Sequence, residues 1–117
     1  MIASDVQAQE RETAQRIGGR LRQLRQEAGM TLRDLAQQIG LRDHTILLKY
    51  ERGQTPPTIA RIVSLARVLN CSAAALLARD DNAMPLITAV DQADEMELAQ
   101  LSFVLETLSA PSDDAGT

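Results

Sequence analysis

Three glycines divide the middle of this sequence into short segments that carry apolar residues at helical spacing. Gly29, Gly40 and Gly53 each close one segment, and glycine commonly ends a helix because it adopts the left-handed conformation without strain. No stretch alternates apolar and polar residues for long enough to predict a strand. A chain divided in this way is expected to bury its apolar faces as a bundle of short helices, so the predicted fold class is all-α.

The spacing predicts five short helices, then a linker and a sixth helix. Thr31, Thr58 and Ser72 are expected to cap the second, fourth and fifth helices, because a hydroxyl oxygen can accept a hydrogen bond from the first turn. In the fourth helix a broad apolar face is expected to be buried, comprising Ile59, Ile62, Val63, Ala66 and Leu69, with Leu65 at its edge. The five helices are predicted at about 11–28, Thr31 to Gly40, 43–52, 59–69 and 73–79.

Charge is distributed unevenly along the chain. The sequence has 12 basic and 16 acidic residues and a net charge of -4, which taken whole argues against a nucleic-acid binder. All 12 basic residues lie between Arg11 and Arg79, and residues 1–79 hold only 7 acids, so this part carries +5. Residues 80–117 hold the other 9 acids and no basic residue, which gives -9. This asymmetry predicts a basic module joined to an acidic segment.

The composition argues against several classes of function. The only aromatic residues are Tyr50 and Phe103, too few for a platform that stacks on unpaired bases. The single cysteine, Cys71, allows no internal disulfide and is expected to be a small buried apolar residue. One histidine leaves no convincing zinc site or nucleophile–base pair, so we expect no enzyme activity, metal or cofactor. With no membrane-length apolar run and no secretory signal, the expected location is the cytoplasm.

Residues 29–53 carry the pattern that is most informative about function. Two short helices joined by a tight turn containing Gly40 are typical of a DNA-binding helix-turn-helix motif. The motif needs a small residue where the helices cross, which Ala36 supplies, and a turn residue that tolerates positive φ, which Gly40 supplies. The second helix needs inward apolar anchors that leave its outer side chains free to enter the major groove.

The sequence resembles the Cro and phage-repressor type of helix-turn-helix regulator, the XRE family. The resemblance covers Ile17 to Leu77, about half of the chain, and rests on the stretches IGGRLRQLRQEAGMTLRDLAQQIG and YERGQTPPTIARIVSLARVLNCSAAALL. It implies a five-helix, repressor-like DNA-binding domain, which we place at residues 11–79. It also implies that Glu51 holds the end of the third helix, through an arginine of the first helix such as Arg20 or Arg25.

The chain departs from the family pattern by one extra residue after Gly40. We place this residue in the turn, near Leu41–Arg42, because that register turns Leu47 and Tyr50 inward. The other register would turn Lys49 inward, which is unfavourable for a charged side chain.

This register predicts which residues of the third helix contact bases. His44 and Lys49 can donate to base acceptors, and Thr45 can form a hydrogen bond or touch a thymine methyl. Leu48 offers only an apolar contact, for example with that methyl. Asp43 repels phosphate, so it either caps the helix or accepts from a cytosine amino group. The alternative for each polar residue is that it is simply solvated.

Phosphate contacts are predicted near the ends of three helices. Arg33 lies early in the second helix, and Arg42 and Arg52 flank the third. Thr58 begins the fourth helix, whose backbone amides attract anions, although a purely structural cap is the alternative. Leu32 stands where the family often has a polar residue, commonly glutamine, so we expect no phosphate or base contact from it.

The acidic segment is predicted to determine the oligomeric state. Residues 80–90 are interpreted as a linker, 91–109 as the sixth helix and 110–117 as a disordered tail. The sixth helix is too apolar to be fully solvated, so it either folds back on helices one and five or pairs with a second copy. Pairing is favoured because such regulators contact two half-sites about 34 Å apart as a two-fold dimer. The residues assigned to this interface are Leu98, Leu101, Leu105 and Leu108.

These features predict a dimeric, sequence-specific regulator of double-stranded DNA, a repressor rather than an activator. One alternative is an antitoxin that regulates its own synthesis and binds a basic toxin through the acidic segment. Another is a protein-interaction adaptor that has kept the fold and lost DNA binding. The expected partners are therefore double-stranded DNA, a second copy of the chain and a protein antagonist or toxin, with no membrane.

Overall fold

The computed structural model describes residues 2–109, which form seven α-helices and one 3-10 helix, with no strand among them. The all-α prediction is confirmed. The elements are α1 (Ile2–Glu27), α2 (Leu32–Gln38), α3 (Thr45–Glu51), α4 (Ile59–Val68), α5 (Ala73–Leu77), the 3-10 helix (Asp81–Ala83), α6 (Met84–Gln92) and α7 (Glu95–Ser109).

The first helix is longer than its apolar pattern predicts. α1 begins at Ile2 instead of about residue 11, and residues 3–12 are exposed on every side. The added turns contain no glycine or proline, and Asp5 lies in the first turn, where a negative charge interacts favourably with the helix dipole. The apolar stripe therefore marks the part of α1 that is buried, and the helix continues beyond it.

The segment predicted as a linker, 80–90, is mostly helical. It forms the 3-10 helix and most of α6. Pro85 lies in the first turn of α6, where a backbone N–H would have no partner within the helix, so proline costs no hydrogen bond there. The last helix consequently begins at Glu95 instead of about residue 91. The tail predicted at 110–117 lies outside the described residues.

The core lies between α1 and the helices α2 to α5. The largest of its fully buried apolar side chains are Leu21, Leu35, Leu47, Leu65 and Leu76. In α4 the expected face is only partly correct, because Ile59 is 79% exposed and Val63 is also exposed. Leu65, expected at the edge of the apolar face, is fully buried, and Ile62, Ala66 and Leu69 are buried beside it. The face of α4 is therefore rotated away from the predicted one.

A close contact between α1 and α3 depends on one of two adjacent glycines. A Cβ atom on Gly18 would overlap the carbonyl oxygen of Tyr50, whereas Gly19 has open space around it. The absence of a side chain at Gly18 allows the backbones of α1 and α3 to approach, which fixes where α3 lies on the domain.

The predicted N-terminal caps are confirmed. Thr31 and Asp34 form a reciprocal capping box: the Asp34 amide donates to Thr31 Oγ1 at 3.0 Å, and the Thr31 amide donates to Asp34 Oδ2 at 2.9 Å. The bonds to Thr31 lower the pKa of the Asp34 carboxyl. Thr58 and Ser72 each accept from the backbone amide three residues later, at 3.2 Å and 3.4 Å. These three helices thus begin where the sequence predicts, whereas α3 begins at Thr45 instead of about residue 43.

Arg20 joins the helix-turn-helix region to the acidic segment. This side chain is 3% exposed; it donates to the carbonyl oxygens of Leu76 at 3.0 Å and of Ala78, at the end of α5. Its Nε also donates to Asp81 Oδ1 at 2.7 Å. Arg20 is therefore not the partner of Glu51, and it positions the chain as it leaves α5.

The last two helices differ in how they are covered. α6 packs on α5, and the amide of Ser72 donates to Thr88 Oγ1 at 3.4 Å. Every residue of α7 is exposed, so α7 does not fold back on α1 and α5, which was one of the two alternatives. The radius of gyration, 18.1 Å, exceeds the value of about 13 Å for a compact chain of 100 residues.

Candidate nucleic-acid interface

The turn between α2 and α3 positions the candidate interface. Gly40 has φ +77°, its amide donates to Gln37 O at 3.2 Å, and the Leu41 amide donates to Ala36 O at 2.8 Å. This is the Schellman arrangement that ends a helix at glycine. Leu41 then packs on the core, and the chain needs residues 42–44 to reach the first turn of α3.

The predicted register of α3 is confirmed by burial. Leu47 and Tyr50 are buried, and Lys49 is exposed. Thr45, Lys49 and Arg52 lie on the side of the helix opposite these anchors, because residues three and four apart share one face. α3 thus presents a polar and basic outer face without using it for packing.

Asp43, predicted either to cap the third helix or to contact a cytosine, caps the first turn of α3. The Thr45 amide donates to Asp43 Oδ1, whereas the His44 side chain, at the N-cap position, makes no capping hydrogen bond. Hydrogen bonds from the side chain and then the backbone amide of Thr45 lower the pKa of the Asp43 carboxyl, and the charge of His44 adds a smaller effect in the same direction. Asp43 is therefore a charged cap at neutral pH, and its contact with a base stays a prediction.

A groove of about 590 Å³ lies between α2 and the start of α3. Arg33 from α2 and Arg42 from the turn line it, together with His44 and Thr45. Gln37 lines the same groove, and sequence reasoning missed it, although a glutamine one residue after the crossing Ala36 was the available signal. The structure therefore brings residues predicted for base contact and for phosphate contact to one surface.

A buried ion pair holds the end of α3 against α1. Arg25 Nε donates to Glu51 Oε2 at 2.7 Å and Arg25 Nη2 donates to Glu51 Oε1 at 2.9 Å, with side chains 13% and 5% exposed. Arg25 Nη1 also donates to Met30 O at 2.8 Å, and bonding to Glu51 raises the pKa of Arg25. Arg25, and not Arg20, is thus the partner of Glu51. Its two parallel hydrogen bonds hold the C-terminal end of α3 in one position and orientation against α1.

Other predicted residues lie outside this surface or differ from expectation. Thr58 caps α4, because its side-chain oxygen accepts a hydrogen bond from the Arg61 amide. Its contact with a phosphate stays a prediction. Cys71 is half-buried, not fully buried, because it follows the left-handed Asn70 at the end of α4; partial burial raises the pKa of its thiol. The four leucines assigned to dimerisation all lie on α7 and are exposed.

Two short helices joined at a left-handed glycine, with a polar and basic outer face on the second, define a helix-turn-helix DNA-binding protein. The chain belongs to the helix-turn-helix domain family, whose model matches residues 16–79. The predicted resemblance to XRE-type regulators is confirmed, and the protein is a DNA-binding transcriptional regulator.

Two solved structures are similar to this chain. One is a chain of a SinR protein/SinI protein complex, with 25% identity and a TM-score of 0.60, covering 80% of this chain and 99% of that chain. The other is the clp gene regulator ClgR from Corynebacterium glutamicum, with 26% identity and a TM-score of 0.54, covering 83% of this chain and 94% of that chain. No curated protein sequence matches the chain.

None of the helices formed by residues 2–109 combines the length and the apolar character required to cross a bilayer. Across the same residues, no three histidine, cysteine or carboxylate side chains meet in a group suited to a metal ion.

Proposed function

We propose that this protein is a sequence-specific repressor that acts in the cytoplasm and binds double-stranded DNA as a homodimer, with α3 of each subunit in the major groove. The observation that carries the proposal is the outer face of α3, which is free of packing contacts while Leu47 and Tyr50 anchor the helix. His44, Thr45 and Lys49 contact base edges on this face, where side chains can distinguish all four base pairs.

Phosphate contacts orient the domain on the duplex. Arg33, Arg42 and Arg52 are exposed, and none of them forms an ion pair within residues 2–109. Thr58, at the start of α4, adds a hydroxyl and the backbone amides of the first turn. The domain carries the positive charge and the chain after Arg79 carries the negative charge, so electrostatic attraction favours one orientation on DNA.

Dimerisation through α7 gives the two-fold symmetry that paired half-sites require. Leu98, Leu101, Leu105 and Leu108 recur at intervals of three and four, and their exposures range from 38% to 76%. A helix of 15 residues whose side chains all remain exposed is only marginally stable in water. Pairing with the same helix of a second copy buries this leucine face and stabilises the helix.

The salt dependence of DNA affinity tests the proposal. The protein first selects a preferred duplex from random fragments, and its affinity for that duplex is then measured against competitor DNA. Three arginine contacts in each of two subunits neutralise about six phosphates, so affinity is expected to fall about 10³-fold between 50 and 200 mM salt. No preference for any duplex at low salt would reject DNA recognition and favour the adaptor function.

Two substitutions test the orientation of α3. His44→Ala and Lys49→Ala are expected to relax the preference at defined base pairs, whereas Arg67→Ala is the control because this exposed arginine lies on α4. If both α3 variants select the same site as the unchanged protein, the proposed orientation is wrong.

A protein partner is a second candidate for the exposed acidic segment. The similarity to a chain solved in a SinR protein/SinI protein complex supports an antagonist that binds the regulator. A basic toxin is the alternative partner, since the segment carries only negative charge. Purification of the dimer from cells that overproduce it, followed by mass spectrometry, is expected to recover such a partner with the unchanged protein and to lose it after Asp→Asn and Glu→Gln substitutions in the acidic segment.

A further inference from the structure

A second groove, of about 270 Å³, lies beside the outer face of α3. Its apolar lining comes from Leu32, the first residue of α2, and Leu48, on the flank of α3. Both leucines are half-buried, so part of each side chain remains open to solvent. The exposed parts of these two side chains can contact an apolar group of a partner that lies against α3.

The charged residues of this groove fall into two groups. Arg25 and Glu51 neutralise each other in the bidentate pair at its base. Arg22, from α1, and Arg52, after α3, line the same groove, and neither makes an ion pair or side-chain hydrogen bond within residues 2–109. The groove thus combines an apolar centre with two arginines whose charges are available for an anionic partner.

DNA offers this combination where a thymine methyl projects into the major groove beside the phosphate backbone. We infer that Leu32 and Leu48 form a subsite for one thymine methyl in each half-site, and that Arg22 and Arg52 contact the phosphates that flank it. The inference rests on the proposed function and extends it. It revises the expectation for Leu32, because a leucine that forms no hydrogen bond with DNA can still contact a methyl group.

Uracil substitution in the selected duplex tests the subsite without changing the protein, because uracil differs from thymine only in lacking the methyl group. Each thymine of the half-site is replaced in turn. At one position per half-site, binding is expected to weaken about fourfold, the cost of leaving one methyl-sized apolar contact unmade. Substitution in both half-sites is expected to weaken binding about fifteenfold, since distant sites contribute additively in free energy.

Protein variants then assign this sensitivity to the groove. Leu48→Ala and Leu32→Ala are expected to bind thymine and uracil duplexes equally at that position. Leu24→Ala is the matched control, because Leu24 is also a half-buried leucine packed on the core but does not line the groove. It is expected to keep the fourfold difference.

The arginines are tested by salt dependence. Arg22→Gln is expected to weaken binding to all duplexes and to reduce the magnitude of the slope of log affinity against log salt by about 0.9 per subunit. Arg67→Gln is expected to leave the slope unchanged.

The outcomes separate the two proposals. Duplex binding in which no thymine is sensitive to uracil, or an unchanged slope for Arg22→Gln, overturns the methyl subsite and leaves DNA recognition by α3 intact. A protein that prefers no duplex at all overturns both.

Discussion

Helices α3 and α7 use their apolar residues in opposite ways. α3 has only seven residues, too few for a stable isolated helix, and it is held in place by the buried Leu47 and Tyr50. α7 has 15 residues and more large apolar side chains, yet all of them are exposed. α3 therefore obtains its conformation from contacts within its own chain, which leave its outer face free of packing, whereas the apolar side chains of α7 are covered by nothing within residues 2–109.

Charge placed on the leucine face of α7 is expected to have the largest effect. Leu101→Glu combined with Leu105→Glu puts two carboxylates into the proposed interface, where burial of unpaired charge is unfavourable. We expect a monomer by analytical ultracentrifugation and a loss of DNA affinity of at least about hundredfold, because the second half-site is no longer bound intramolecularly. The thermal unfolding of the helix-turn-helix domain should change little.

A control variant adds the same charge elsewhere on α7. Gln100→Glu combined with Thr107→Glu places two carboxylates on the side of the helix away from the leucine face. This variant should remain a dimer and bind DNA like the unchanged protein. A Leu101→Glu, Leu105→Glu protein that stays dimeric would show that α7 does not form the interface.

The glycine pair of α1 tests how far α3 depends on its own chain. Gly18→Ala would force apart the backbones of α1 and α3, and we expect it to lower the free energy of unfolding by about 3 kcal/mol or more. Gly19→Ala adds the same methyl group in open space and should raise it by about 0.5–1 kcal/mol, because alanine favours the helix. Chemical denaturation measures both, and equal effects would contradict the close approach.

Much of this fold follows from local sequence, and the exceptions are informative. The caps at Thr31, Thr58 and Ser72, and the glycine-terminated turn after α2, depend on a few adjacent residues, so the sequence predicts them. The rotation of α4, which exposes Ile59, depends on how neighbouring helices pack, and a periodic pattern leaves it undetermined. Pro85 does not distinguish a linker from the start of α6, because proline suits both a break in a helix and the first turn of one.

For the candidate interface, the sequence predicts which residues of α3 are exposed better than it predicts which side chains contact each other. The register of α3 follows from burying Leu47 and Tyr50 and leaving Lys49 in solvent. The choice between Arg20 and Arg25 as the partner of Glu51 needed the structure, since both lie on α1 and differ only in which neighbour they reach. The groove between Leu32 and Leu48 joins residues far apart in the sequence, so no local pattern predicts it.

The ion pair between Arg25 and Glu51 gives an electrostatic test of how strongly α3 is held by its own chain. Glu51→Gln leaves the Arg25 charge largely buried without a compensating carboxylate, and we expect the free energy of unfolding to fall by about 3 kcal/mol. The double variant Arg25→Met, Glu51→Leu removes both charges and should recover much of that loss. Calorimetry of the unchanged protein, the Glu51→Gln variant and the double variant measures these free energies of unfolding. A Glu51→Gln protein as stable as the unchanged one would mean that the ion pair does not hold α3.

Acid titration of the capping box on α2 is expected to give the smallest effect. The pKa of Asp34 is lowered in the folded protein by bonds from Thr31, so its contribution to stability is complete above the unfolded pKa of about 3.9 and is lost as pH falls through the lower folded pKa. Asp34→Asn should therefore make stability less dependent on pH between about 5 and 2. Glu10→Gln, which removes an exposed carboxylate of α1, is the control, and an equal change in both acid-unfolding curves would show that the capping carboxylate has no special role.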